Sequence, residues 1–122
     1  MKRIMSKIDV LAVRPGETPE MIELEDDLRA MQDFVGGNIE AVRPWSDDVI
    51  IICDEEAALK QTPPNRIIKH PSGDVCCVIC GAFFLCLAPR NSEVFMSLPR
   101  MMADRCIPLM VAPARSVEVC DE

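Results

Sequence analysis

Val49-Ile50-Ile51-Ile52-Cys53 is an unbroken apolar run that gives way to Asp54-Glu55-Glu56 and then to Pro63-Pro64-Asn65-Arg66. A short run dominated by β-branched side chains and closed by turn formers predicts a strand covered on both faces. The polar residues that follow then lie at the mouth of the core, which makes them the first place to look for a ligand.

Working outward, residues 8–13 read as a first strand ended by Arg14-Pro15-Gly16, and residues 19–24 as a short second strand by their alternation. Leu24, Leu28, Met31, Phe34 and Val35 recur at helical spacing, with Glu25, Asp26 and Asp27 in the first turn and Gly36-Gly37 as a left-handed stop. Residues 38–44 predict another strand, residues 44–48 a turn, and residues 49–53 the central strand. Residues 54–73 have turn chemistry throughout, with one helical turn open to residues 55–60. Residues 75–87 predict a long strand or a hairpin pair, in which Gly81 marks a bulge or a close backbone approach. Ser97 is placed to cap a last helix with Pro99 in its first turn and Leu98, Met101, Met102 and Cys106 as its buried stripe, before Pro108 stops it. Residues 111–122 read as an edge strand or a mobile tail.

The expected architecture is α+β: a mixed or antiparallel sheet of about five strands packed by two short helices, in one domain over residues 1–122 with its core over about 8–107. Leu28, Met31, Phe34, Ile50, Ile52, Val78, Phe83, Met101 and Met102 are expected to be buried around that sheet.

Composition agrees with a single core. A chain of 122 residues buries roughly two thirds of its unfolded surface, and 49% hydrophobic with 27% charged residues is ordinary for a globular protein. The longest apolar run, residues 75–88, has 14 residues and includes Gly81, short of the roughly 18 that a membrane helix needs. Lys2, Arg3 and Lys7 are followed by no continuous apolar block of the secretory kind, which predicts a cytoplasmic protein. Seven cysteines are present, five of them in apolar strand-like runs where a thiol acts as a small hydrophobe. Cys77-Val78-Ile79-Cys80 has C-x-x-C spacing but no second pair, and His70 is the only histidine. Reduced core thiols are expected, with zinc or redox use as the alternative, and neither a metal nor a cofactor is assigned.

In this order, Asp33-Phe34-Val35-Gly36-Gly37, Ile39-Glu40-Ala41-Val42, Ile52-Cys53-Asp54-Glu55-Glu56, Asn65-Arg66, Gly81-Ala82-Phe83-Phe84 and Ser97-Leu98 resemble domain-of-unknown-function family 3846 over about residues 8–107. Two positions depart from that pattern: Asp54 stands where asparagine is usual, and Ala57-Ala58 where glycine is frequent. The resemblance implies an origin in phages, plasmids and the bacteria that carry them, and no particular activity.

Charge narrows the functional classes. The net charge is −7, and residues 15–28 hold Glu17, Glu20, Glu23, Glu25, Asp26 and Asp27 with no Lys or Arg, a surface that repels duplex nucleic acid. That stretch is either a solvated face or an acidic mimic of nucleic acid directed at a basic host protein. Residues 57–73, by contrast, have no acid and carry Lys60, Arg66, Lys69 and His70. Arg66 offers a planar fork for phosphate, assisted by Asn65, Lys60 and Lys69, and Pro63-Pro64 stiffens the approach. The structural alternative has Asn65 capping a turn and Arg66 paired with Glu55 or Glu56. Catalysis is disfavoured, because adjacent Glu55 and Glu56 diverge on a strand and a nucleophile would have only His70 as base. The expected protein is a non-enzymatic, homo-oligomeric binder of a small anionic, nucleotide-type ligand, sequestering a host defence signal. An acidic interaction protein that blocks a host factor is the second reading.

Overall fold

The computed structural model describes residues 6–92 and 94–113. In chain order these form β1 (Lys7–Val13), β2 (Glu20–Glu25), α1 (Leu28–Val35), β3 (Ile39–Val42), β4 (Val49–Asp54), β5 (Pro64–Lys69), β6 (Val75–Cys80), β7 (Phe83–Leu87), α2 (Arg100–Cys106), a 3-10 turn at Ile107–Leu109 and β8 (Met110–Val111). The fold is α+β, as the sequence predicts, but the strands divide between two antiparallel sheets. The larger has the order β2-β1-β7-β4-β3 and the smaller β6-β5-β8.

The large sheet is a middle layer, which explains why β4 is apolar at consecutive positions. Ile50 and Ile52 share one core with Val10, Phe84, Cys86 and the α1 residues Met31 and Val35. Val49, Ile51 and Cys53 share the opposite core with Leu11, Val13, Phe83, Leu85, Ile68 and Ile79 of the small sheet, and Ala103 and Cys106 of α2. Period-two alternation thus delivers neighbouring residues to different cores, and all six residues of β4 are buried. The middle position belongs to β7, with β4 beside it. Phe84 of β7 meets Phe34 of α1 edge to face, with ring centroids 5.7 Å apart.

Local chemistry sets the ends of α1. Asp27 is its N-cap, accepting from the Ala30 amide at 2.7 Å. Glu25 and Asp26 therefore precede the helix instead of loading its first turn, and Leu24 belongs to β2. Gly36 ends the helix at φ 90°, the left-handed stop expected of it. At α2 the cap is Pro99 with no side-chain bond, whereas the Ser97 hydroxyl accepts from the Asp9 amide at 2.8 Å and anchors this segment to β1.

Three further expectations are corrected. Residues 64–69, read as turn, form β5, because Ile68 reaches the core and Pro64 occupies the first strand position, where its missing donor is tolerated. Residues 75–87 are neither one strand nor a hairpin, since Gly81 at φ 77° passes the chain from the small sheet to the large one. Leu28, Val78 and Met101 are exposed by 56%, 51% and 72%. Leu28 opens α1 ahead of buried Met31, Val78 points away from the core reached by its neighbour Ile79, and Met101 lies about 200° around α2 from buried Ala103. The expected edge strand or mobile tail over residues 111–122 falls mostly outside the described part, which ends at Pro113; of residues 111–113, Val111 is in a strand. No helix among the described residues is long and apolar enough to cross a membrane.

Phe84→Ala removes a fully buried ring from the α1 core and is expected to cost about 3–5 kcal/mol in urea unfolding. Leu28→Ala should change stability by less than about 1 kcal/mol, and a larger loss would mean that Leu28 is covered in solution.

Candidate functional site

A β-bulge builds the site. Pro64 pairs with Cys80 and Arg66 with Ile79, so Asn65 is the extra residue on β5 and the alternation of faces breaks there. As a result two consecutive polar side chains are both buried, with Asn65 1% and Arg66 7% exposed. The Asn65 side-chain amide donates to the Val13 and Gly81 carbonyls, each at 2.9 Å, and its Oδ1 accepts from Arg66 Nη1 at 2.7 Å. Both amide hydrogens are thus used within the protein, and Asn65 holds Arg66 in place.

Arg66 makes two more bonds, Nη1 to the Asn65 carbonyl at 3.0 Å and Nη2 to the Glu17 carbonyl at 2.5 Å. A guanidinium has five N–H donors, so Nε–H and one hydrogen on Nη2 have no protein acceptor among the described residues. Nor does any carboxylate of those residues come within ion-pairing distance, Glu55 and Glu56 included. Burial pushes the Arg66 pKa down from its ordinary value, while an arginine remains a cation at neutral pH.

Arg66 lines an open cavity of about 670 Å³. One wall is the β1–β2 turn with Gly16, Glu17, Thr18 and Pro19, the floor is Pro64-Asn65-Arg66, and Ile107, Met110, Ala112 and Pro113 form the apolar side. Gly16 takes φ 75° at this turn, a left-handed geometry that suits glycine. The sequence marks the turn through Pro15-Gly16, but no local signal places it, or Ile107 and Met110, against Arg66. That proximity comes from β1 and β5 being joined through Asn65.

Lys60 and Lys69 do not line this cavity. Lys60 Nζ pairs with Asp54 Oδ2 at 2.6 Å and donates to the Gly36 carbonyl at 3.0 Å, a cation closing the C-terminal end of α1. The contact is tight, for a Cβ on Gly37 would sit 2.8 Å from Asp54 Oδ1 and 3.0 Å from Lys60 Nζ. Lys69 ends β5, and its carbonyl accepts from Trp45 Nε1 at 2.8 Å. Trp45 itself borders a separate cavity of about 590 Å³ with Met102 and Arg105. His70 occupies the β5–β6 turn, its amide bonded to the Asp74 carbonyl at 2.8 Å.

Four of the thiols are tuned away from reactivity. Burial, assisted by Glu40, pushes Cys53 up to about 12, and burial pushes Cys86 to about 12 and Cys77 and Cys106 to about 11. The six described cysteines are unpaired, and no group of three or more His, Cys, Asp or Glu among the described residues is arranged to hold a metal.

The Asp54 carboxyl is held below its usual range by the Lys60 hydrogen bond, joined by the Glu56 amide and against the opposing effect of burial. A lowered folded-state pKa contributes stability that is complete above the ordinary value of 3.8 and is lost as pH falls through the folded value. Asp54→Asn should therefore cost about 1–2 kcal/mol at neutral pH, at the lower end for charge-assisted bonds because Lys60 is half exposed. Thermal melts from pH 7 to pH 2 should show the gap from wild type closing below about pH 4.

No curated protein and no solved structure matches the chain. A family model does match residues 7–108, which takes in every element from β1 through α2. The chain belongs to the family described as a domain of unknown function, DUF3846.

Proposed function

We propose that the protein is a non-enzymatic binder of a small anionic ligand, held in the cavity between the β1–β2 turn and the β5 bulge. The observation that carries this reading is Arg66: a buried cation without a carboxylate partner among the described residues, lining a cavity with two N–H donors unmatched. A charged group is costly to bury alone, so a phosphate or carboxylate that accepts from Nε and Nη2 would stabilise the site as well as itself. Asn65 keeps the fork oriented before the ligand arrives, which lowers the ordering cost of binding.

The cavity volume suits a mononucleotide-sized molecule. Ile107 and Met110 give an apolar wall and Glu17 and Thr18 a polar rim, with no aromatic ring among the lining residues. The anionic group is then the main determinant of affinity, with the body of the ligand held by apolar contact instead of stacking. On the mobile-element origin that the family resemblance implies, a nucleotide-type host defence signal is the ligand class of first choice.

Calorimetry with pyrophosphate, AMP and cyclic AMP tests the reading. At least one probe should bind wild type, and Arg66→Ala should weaken it roughly ten- to a hundredfold, with Arg66→Lys intermediate because it keeps the charge and loses the fork. Lys60→Ala and Lys69→Ala should change binding little. Wild-type protein that binds none of the probes, or an Arg66→Lys variant that melts normally and binds as tightly as wild type, would overturn it.

A further inference from the structure

Among the described residues, two sheets present four edges, and three of them are blunted. β2 exposes Glu20, Glu23 and Glu25, β3 exposes Glu40, and β8 is two residues long and runs on to Pro113. Charge, brevity and proline are the usual means of keeping an edge strand from pairing with another chain. β6 reads Val75-Cys76-Cys77-Val78-Ile79-Cys80, with no charge and no proline. Its pairing with β5 is interrupted at two places, at Cys76, where the register shifts between Ile68 and Lys69, and opposite the Asn65 bulge between Ile79 and Cys80, so that Cys77–Ile79 is the regular part of the edge.

The outward face at this edge is also apolar. Ile67 stands opposite Val78 on one side and Val111 on the other, which makes a row across the small sheet. Val78 and Val111 are exposed and Ile67 is half-buried.

We infer that β6 pairs antiparallel with β6 of a second copy of this chain, joining two three-stranded sheets into one of six strands. Directly opposed residues in a sheet show the same face, so a two-fold axis normal to the sheet must set one residue against its own copy. Val78 on Val78 is the register that continues the row from Val111 of one copy, through Ile67 and Val78, to Val111 of the other. A second copy fits better than a foreign peptide because the strand matching an uncharged, proline-free edge is β6 itself. The chain is strongly acidic overall, and β6 itself contributes no carboxylate; of the acids that border the groove beside Cys77–Cys80, Asp54 is paired with Lys60, which leaves Glu40 and Glu55 flanking the contact.

Light scattering on wild type should give twice the 13.6 kDa chain mass. Val78→Lys sets two like charges directly opposite each other and should give the chain mass with an unchanged circular dichroism spectrum, whereas Val78→Thr should remain dimeric. Wild-type protein at the mass of one chain, or a folded Val78→Lys variant at the wild-type mass, would overturn the inference. Should Val78→Lys fail to fold, Val78→Cys decides. Opposed residues lie within disulfide reach, so mild oxidation should link position 78 to position 78 of the second copy in peptide mass mapping, and absence of that link sinks the proposal.

Discussion

The Asn65 side-chain amide joins what the backbone leaves separate. It ties the last carbonyl of β1, in the large sheet, to the Gly81 carbonyl at the corner where the chain changes sheets, and it fixes the Arg66 guanidinium from its oxygen side. All three partners are buried or nearly so, and a buried carbonyl deprived of its donor costs about 1–3 kcal/mol. The same group therefore decides how the sheets stack and where the cavity's cation sits. A residue of similar size without both amide hydrogens would lose the carbonyl contacts together.

The large sheet was legible because burial on two faces leaves a mark in composition. Val49–Cys53 and Phe83–Leu87 have apolar residues at consecutive positions, as a strand sandwiched between two cores requires. The small sheet was much less so. β5 begins at a proline and carries Asn65 and Arg66, and its burial depends on a bulge whose partner lies on β6. Asn65-Arg66 could be singled out from the charge pattern, but their inward orientation belongs to the pairing. Lys60 and Lys69 share that charge window in sequence, yet β5 carries Lys69 to its far end and Asp54 draws Lys60 to the end of α1.

The glutamates of β2 gain a structural account from their position. Glu20, Glu23 and Glu25 are exposed on an edge strand while Met21, Ile22 and Leu24 are partly buried against the sheet. Negative charge there keeps the edge solvated and discourages pairing with another chain. Arg14 answers it at one point, 3.2 Å from Glu20, and also lies 5.0 Å from the centre of the Phe34 ring.

Strand order also constrains how the chain assembles. The large sheet consists of two antiparallel pairs, β1 with β2 and β3 with β4, each formed from neighbouring segments, and β7 lies between them. Leu11 faces Leu85 across a separation of most of the chain, a high contact order of the kind that slows folding. Neither pair can join the other in the sheet without residues 83–87 between them. β7 contributes to both cores at once, because Phe83 and Leu85 enter one while Phe84 and Cys86 enter the other.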